Sequence, residues 1–276
     1  MNERYQGMAY DQLFLPRLPG PEIGELAKTG AMVILPIGAM EQHGPHLPVF
    51  TDTLIGEGIL TEAFMHLTRE DNIWLLPHLP YGKSNEHTGW NGTVTLSAST
   101  LLAVLMDIAD SLAKTGFQRL VLFNTHGGNI DALNLVARDI REKTGMYVFR
   151  LDGGGLDDEK DLLTQEERMY GIHAGDSETS LIMVLHREWV HENKLPNEFP
   201  PITPDRKLQF SNKRFAWLMK DLSSSGACGN AQLATEEKGK AILASAGRNA
   251  AELFKMMSVF SFNQKNGPIG FLPRER

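Results

Sequence analysis

Cysteine is nearly absent from this chain, because Cys228 is the one cysteine among 276 residues. A single thiol allows neither an internal disulfide framework nor a cluster of thiolate metal ligands. Any transition metal would therefore be held by histidines and carboxylates. Cys228 lies in the glycine-rich segment Gly226-Ala-Cys-Gly-Asn, and we interpret it as a bystander rather than a nucleophile.

A long apolar run and an excess of positive charge are missing as well. No stretch approaches the roughly eighteen uninterrupted apolar residues of a membrane span, and the N-terminus has no basic start followed by an apolar run. A cytoplasmic location is therefore the default expectation. The net charge of -7 and the pI near 5.7 argue against binding to nucleic acid or to an anionic membrane. We expect a small-molecule substrate instead.

Motifs of two enzyme classes are also absent. No GxSxG nucleophile elbow occurs, and the glycines after the third predicted strand form no GxGxxG and precede no Lys-Ser/Thr pair. The sequence therefore argues against a serine hydrolase and against a nucleotide-binding loop.

The hydrophobic content of 42% over 276 residues is enough for a substantial core, and we expect one domain covering residues 1–276. Short apolar runs alternate with segments of helical periodicity, which is typical of an α/β fold with a mostly parallel sheet covered by helices. Strands are predicted at 31–35, 73–76, 119–123 and 146–151. Helices are predicted at about 53–68, from a cap at Ser99 or Thr100 to Gly116, after 129 to about 144, and at 235–260. The proline-rich residues 196–204 are predicted to be non-helical and the tail 267–273 to be extended.

The loops that follow these strands carry most of the polar residues of interest. Ligands of open α/β sheets bind beyond the carboxyl ends of the strands. We therefore expect loops 37–52, 77–93, 124–129 and 152–178 to open onto one crevice.

The first candidate cluster combines Glu41 and His43 with Asp52, which comes nine residues after His43. Alternate residues of an extended loop point the same way, and a carboxylate at a helix start would lie beside them. These residue types bind zinc, manganese or iron(II). The segment alone is equally compatible with a helix N-cap at Asp52 and a solvated Glu41.

Two further loops carry candidate ligands. His126 directly follows the third strand, and the small residues Gly127 and Gly128 after it would let a ligand approach the backbone closely. His173 lies in a loop and Glu178 in the first turn of the helix that follows. By itself this last segment is better explained as a plain helix start capped by Asp176 or Ser177. Together the three loops supply enough ligands for two metal ions that share a bridging carboxylate.

Four segments in this order resemble the creatininase (creatinine amidohydrolase) family, and a fifth, 234–239, is a weaker match. They are residues 36–48 with 51–53 (PIGAMEQHGPHLP and TDT), 86–94 (EHTGWNGTV), 124–129 (NTHGGN) and 173–180 (HAGDSETS). The resemblance implies a three-layer sandwich of helices around a mostly parallel sheet. It also implies a dinuclear metal site and a homo-oligomer, often a hexamer arranged as a trimer of dimers or a dimer of trimers.

The resemblance also implies roles for individual residues. Glu41 and His126 would bind one metal, His43 the other, and Asp52 would bridge the two. His173 occupies the position of a histidine that moves protons. The segments that line the pocket correspond to Glu86, His87, Gly92 and Thr93, with Gly127 and Gly128 in the loop after the third strand.

One position departs from the family pattern. Creatininase has a carboxylate ligand of the second metal two residues after the histidine of the third-strand motif, where this chain has Gly128. Relatives with His-Gly-Gly-Asn take a glutamate from the Glu-Thr-Ser segment, so Glu178 is the expected replacement. The tryptophans that hold the substrate of creatininase near His173 have no evident counterpart, which argues against creatinine as substrate.

The expected protein is thus a hydrolase of carbon–nitrogen bonds other than peptide bonds. Its cofactors would be two divalent metal ions, zinc first, with manganese or iron as alternatives. A metal-bound hydroxide would attack a small cyclic amide or a formamide, with His173 and Glu178 as the catalytic residues. The alternatives are a metal-dependent peptidase of the same fold, as some relatives are, and a non-catalytic α/β protein that binds a metabolite.

Overall fold

The computed structural model describes residues 7–158, 160–201 and 216–262. Its central sheet has the strand order β2-β1-β3-β4, and every pairing within it is parallel. The strands are β1 (Met32–Ile37), β2 (Ile73–Leu75), β3 (Arg119–Asn124) and β4 (Tyr147–Asp152). All four predicted strands are confirmed, with ends that move by one or two residues.

The central strands form because their residues are apolar almost without interruption. Every residue of β1 is buried, as are all residues of β3 except its first. Such runs are typical of parallel strands that are covered on both faces. The prediction that β1 ends before Pro36 is wrong, since Pro36 lacks only the N–H donor. Its carbonyl accepts from the Leu79 N–H at 2.9 Å, and the Ile37 carbonyl accepts from Thr125 at 3.0 Å.

Nine α-helices occur in the described part of the chain, and they flank the sheet. Three of them, α3, α7 and α9, pack against one another, whereas α4 packs against α5 and α2. A mostly parallel sheet flanked by helices is therefore confirmed. The helices are α1 (Met8–Gln12), α2 (Gly20–Lys28), α3 (Thr51–Phe64), α4 (Ala98–Thr115), α5 (Ile130–Thr144), α6 (Gln165–Tyr170), α7 (Asp176–Leu185), α8 (Met219–Leu222) and α9 (Glu236–Val259).

Helix ends differ from the prediction where a cap lies elsewhere. The cap of α4 is Ser97 rather than Ser99 or Thr100, because the Ser97 side chain accepts from the Thr100 amide at 3.1 Å. Gly116 ends this helix in the left-handed region, as predicted. The predicted helix 53–68 begins two residues earlier and ends at Phe64.

The proline-rich segment is described only as far as residue 201. Its described part contains strand β5 (Asn197–Glu198), which pairs antiparallel with β6 (Gly229–Asn230). The predicted extended tail 267–273 lies outside the described residues. None of the helices that the structure describes combines the length and the apolar character of a bilayer span.

Candidate metal centre

Two adjacent strands bring the first candidate ligands together. Glu41 and His43 follow β1, and His126 follows β3, the neighbour of β1 in the sheet. Because parallel strands end at the same edge, the loops after them meet. All three side chains are buried. Nδ1 of His126 lies 3.3 Å from Oε1 of Glu41.

Asp52 lies between the two histidines and faces both. Its Oδ1 is 3.4 Å from Nε2 of His43, and its Oδ2 is 3.3 Å from Nδ1 of His126. The alternative that Asp52 is a helix N-cap is wrong: α3 begins one residue earlier, its N-cap is Phe50, and no side chain caps it. The carboxylate is thus turned away from the helix amides and into the cluster.

Glu178 completes a second group with His43 and Asp52. One possible ligand atom from each of the three lies within 4.8 Å of the others. Two more such groups combine Glu41 with His43 and His173, and Glu41 with Glu86 and His126. Capping by Asp176 or Ser177 is wrong, since the N-cap of α7 is Gly175 and no side chain caps this helix.

Three buried atoms of the cluster have no hydrogen-bond partner in the described structure. They are Oε2 of Glu41, Nε2 of His43 and Oδ2 of Asp52. A buried polar atom without a partner costs on the order of 1–3 kcal/mol. Three such atoms on nitrogen and oxygen ligands of adjacent groups fit divalent cations, which would satisfy them all.

In His43 and His126, the ring nitrogen that faces away from Asp52 forms a hydrogen bond that sets the tautomer of the neutral ring. Nδ1 of His43 lies 3.0 Å from the Glu41 carbonyl, and Nε2 of His126 lies 3.0 Å from the Lys83 carbonyl. A carbonyl only accepts, so these nitrogens carry the hydrogens. When the rings are neutral, the lone pairs of Nε2 in His43 and Nδ1 in His126 face the cluster, as they do in metal-ligating histidines.

Charges within the cluster shift the pKa values of its members. Burial opposes the charged form of His43, but the carboxylates, Asp52 first, outweigh burial and raise its pKa to about 9. Burial likewise opposes the charge of Asp52, yet the two neighbouring histidines lower its pKa. Burial raises the pKa of Glu178 to about 7. The carboxylates therefore favour positive charge at the centre of the cluster.

His173 lies at the edge of the same cluster. Its Nε2 is 2.7 Å from the Gln42 carbonyl, and its Nδ1 is 3.6 Å from Oε1 of Glu41. Burial first, and then the neighbouring His43 and His87, lower its pKa well below the ordinary value. The ring is therefore neutral at neutral pH, with the lone pair of Nδ1 directed at the cluster.

Gln42 was not predicted as a site residue, yet it joins several site elements. Its side-chain amide lies 2.8 Å from Nδ1 of His87 and donates to the Gly226 carbonyl at 2.8 Å. Its position between Glu41 and His43 was the available signal in the sequence. The segment that contains Gly226 is also held by backbone hydrogen bonds between Cys228 and His173.

Gly128 lies where Glu86 enters the cluster. Oε1 of Glu86 is 3.5 Å from Nε2 of His126. A Cβ atom at residue 128 would lie 2.1 Å from Oε1 of Glu86 and 2.4 Å from Nε2 of His126. Glu86 and a side chain at residue 128 therefore compete for the same space.

A cavity of about 530 Å³ opens onto the cluster. Among the residues predicted to bind substrate, Glu86, His87, Gly127 and Gly128 line it. The predicted Gly92 and Thr93 do not line it; the Thr93 hydroxyl instead accepts from the Gln42 amide at 3.1 Å. Trp217 lines the cavity and was not predicted, because no motif marks the segment around it.

We compared the chain with known protein families. Residues 17–254 match the model of the creatininase family, described as creatinine amidohydrolase. The chain belongs to the creatininase family.

Several curated proteins are similar to this creatininase-family chain. A mycofactocin precursor peptide peptidase of Mycobacterium ulcerans is 34% identical over 62% of this chain and 65% of its own length. A peptidase of the same name from Mycobacterium tuberculosis is 29% identical over 80% of this chain and 83% of its own length. A creatinine amidohydrolase of Pseudomonas putida is 28% identical over 79% of this chain and 86% of its own length.

Solved creatininase structures share the fold. A tryptophan-to-alanine variant of creatininase matches with a TM-score of 0.73 and 23% identity, over 90% of this chain and 99% of that one. A structure named "Creatininase Mn" matches with a TM-score of 0.70 and 24% identity, over 88% and 97% of the two chains. A glutamate-to-glutamine variant of "Zn-Zn type" has the same TM-score and identity, over 88% and 96%. The creatininase-like sandwich is thus confirmed for this chain.

Proposed function

We propose that the protein hydrolyses an amide C–N bond and that it does so with two divalent cations. The observation that carries the proposal is the carboxylate of Asp52, whose two oxygens face His43 and His126 at 3.4 and 3.3 Å. A carboxylate with one oxygen towards each of two histidines would be a ligand shared by both cations. The names of the relatives, which are amidohydrolase and peptidase, support hydrolysis of such a bond.

The ligands divide into two sets that share Asp52. Glu41 and His126 would complete the first set, and His43 and Glu178 the second. Imidazole with carboxylates suits zinc, and it is compatible with manganese or iron. Zinc is the first choice, and the structures of relatives named with manganese and zinc support this range.

Two bound cations would activate a water molecule and polarise the carbonyl oxygen of the substrate. His173 then moves the proton. Its neutral ring accepts a proton at Nδ1, which faces the cluster, while the Gln42 carbonyl holds the other nitrogen at 2.7 Å. The protonated ring donates to the leaving nitrogen, so one histidine acts first as base and then as acid.

The larger cavity would hold the substrate beside this cluster. Its lining residues Glu86, His87, Gly127 and Gly128 remain our candidates for substrate contacts, and Trp217 joins them as an apolar wall. We expect a small cyclic amide or a formamide. The homo-oligomer and the cytoplasmic location stay predictions.

A peptide is the second candidate substrate, and a specific observation favours it. The two mycobacterial relatives named as peptidases are 34% and 29% identical to this chain, against 28% for the creatinine amidohydrolase. The reaction and the metal cluster would be the same. The difference would lie in the groups that flank the scissile bond.

Metal content and hydrolysis test the proposal together. Protein purified without chelator should hold close to two equivalents of zinc, manganese or iron, and Asp52→Asn should lose most of both. Formamides, cyclic amides and short peptides, supplied to the metal-loaded protein, identify the preferred substrate class. Less than half an equivalent of metal in the unaltered protein, even after incubation with zinc or manganese, would reject the proposal.

A further inference from the structure

Two helices that carry metal-ligand candidates continue into an apolar face. On α3, Ile55 and Ile59 lie three and seven residues after Asp52, which places all three on one face. On α7, Leu181 lies three residues after Glu178. Each helix therefore has an apolar side chain about one turn, roughly 5 Å, behind its ligand.

These side chains line a second cavity, which we call the aliphatic subsite. Its helical wall is completed by Ile242 and Ala246 of α9, which are four residues apart and on one face. Gly153, Gly154 and Gly155, which follow β4, line it as well. The subsite has a volume of about 190 Å³, and each of the five apolar side chains that α3, α7 and α9 contribute to it is under 9% exposed.

The aliphatic subsite and the larger cavity meet at the metal cluster. His173 and Glu178 line both, together with Thr125 and Ile172. A substrate whose scissile bond lies at the cluster thus has space on two sides. Only the smaller space is walled by aliphatic side chains from three helices.

We propose that the aliphatic subsite binds a neutral branched aliphatic group attached directly to the scissile amide of the substrate. The inference rests on the proposed function, because the cluster defines where the scissile bond lies. It extends that function by assigning a chemical class to one side of the substrate.

The charges around the aliphatic subsite exclude an anionic group. No lysine or arginine is among the described residues that line it, whereas Asp157 and Glu167 are. The Glu167 carboxylate accepts from the backbone amides of Asp176 and Asn230, both at 2.8 Å, so each of its two oxygens already has a hydrogen-bond donor. An uncharged group avoids repulsion and requires no unpaired polar contact.

The volume sets the size of the group. The subsite volume of about 190 Å³ is well above the ~10–15 Å³ that a single water molecule requires on this measure, so it has room for a side chain like that of valine or leucine. Burial of each methylene group on an apolar wall contributes ~0.8 kcal/mol, or about a fourfold change in affinity. A chain that fills the subsite should therefore bind progressively more tightly until the space is full.

Hydroxamates chelate divalent metals and carry a variable group, so they probe the subsite directly. Calorimetry on the zinc-loaded protein would compare acetohydroxamate with its isobutyryl and isovaleryl analogues. A parallel series of N-alkyl-N-hydroxyformamides places the same groups on nitrogen. We expect about a fourfold gain per added methylene in one series, which then tells which side of the amide faces the subsite.

Variants of α9, which carries no ligand candidate, localise the effect. Ala246→Leu fills the subsite and should abolish the gain, while acetohydroxamate binding persists. Ile242→Ala enlarges the subsite and should move the preference to a longer chain. Met256→Ala, which alters an exposed residue of the same helix, is the matched control and should keep the original trend.

The outcomes separate the two proposals. Metal binding and acetohydroxamate binding without a chain-length trend in either series would overturn the subsite and leave the proposed function standing. Tighter binding of carboxylate-bearing or ammonium-bearing analogues than of the isovaleryl group would also overturn it. Failure to bind metal would reject both. The series on the unaltered protein decides the question even if a variant does not fold.

Discussion

Oε2 of Glu178 lies 3.9 Å from Nε2 of His43 and also accepts the Ala174 amide at 2.6 Å. Ala174 has a positive φ of 52°, which is uncommon for a residue other than glycine. The loop before α7 is therefore held in a bend that turns the Glu178 carboxylate towards His43. Glu178 and His43 therefore face the same space, beside Asp52.

Glu178→Gln should remove one of two metal ions, because the amide is a weaker ligand and the second set then retains only His43 and Asp52. Elemental analysis should show a fall from about two equivalents to about one. Glu237→Gln alters an exposed glutamate of α9 and serves as the control. Two equivalents in both variants would remove Glu178 from the ligand set.

Gly128→Ala should destabilise the protein by about 1–3 kcal/mol, as overpacking of a filled site does. The new Cβ would lie 2.1 Å from Oε1 of Glu86. Gly127→Ala is a matched control, since a Cβ atom there meets nothing within 4 Å. Urea unfolding of the two variants measures the difference.

The double variant Gly128→Ala with Glu86→Ala tests whether the collision with Glu86 causes the loss of stability. Removal of the Glu86 carboxylate should recover part of the lost stability, because one of the colliding groups is gone. Equal stability of the Gly127 and Gly128 variants would contradict the predicted collision.

Metal binding should release protons at neutral pH. Neighbouring carboxylates, which outweigh burial, hold the pKa of His43 at about 9 in the metal-free protein, so its ring is protonated at pH 7. A metal binds the neutral ring, and the proton must leave. The apparent zinc affinity should therefore rise as the pH increases from 7 to 9 and change less above that range.

Calorimetric titration of chelator-treated protein with zinc, in two buffers of different ionisation enthalpy, counts the released protons. His43→Asn should release fewer protons than the unaltered protein. The prediction is wrong if the heat of binding is the same in both buffers after correction for zinc–buffer interaction.

Glu198 should make folding stability depend on pH in the acid range. Burial opposes its charge, but hydrogen bonds from residues 223–225 outweigh burial and lower its pKa from 4.5 to about 2. These include the Ser224 and Ser225 amides at 2.6 and 3.0 Å. The contribution is thus complete above pH 4.5 and is lost as the pH falls towards 2.

Glu198→Gln measures this contribution. The difference in unfolding free energy between the unaltered protein and the variant should be largest near neutral pH and shrink between pH 4.5 and 2. A difference that stays constant over this range would show that Glu198 does not act through its charge.

The sequence by itself determined the central sheet and the candidate ligands that directly follow its strands. Near-continuous apolar runs predict β1 and β3, since a strand covered on both faces must be apolar at successive positions. Glu41, His43 and His126 follow those strands, and the carboxyl ends of parallel strands meet at one edge of the sheet. The sequence therefore predicts that these three residues lie together at one site.

Only the tertiary structure decided where the side chains of Asp52, Glu178 and Glu86 lie relative to the histidines. The segment around Asp52 was equally compatible with a cap, and the packing of α3 turned its carboxylate to both histidines. Glu178 lies 135 residues after His43 and Glu86 lies 40 residues before His126. The distances between such side chains depend on how helices and loops pack, which local periodicity does not encode. Gln42, Trp217 and the aliphatic subsite emerge for the same reason: their roles arise from neighbours that are remote in the chain.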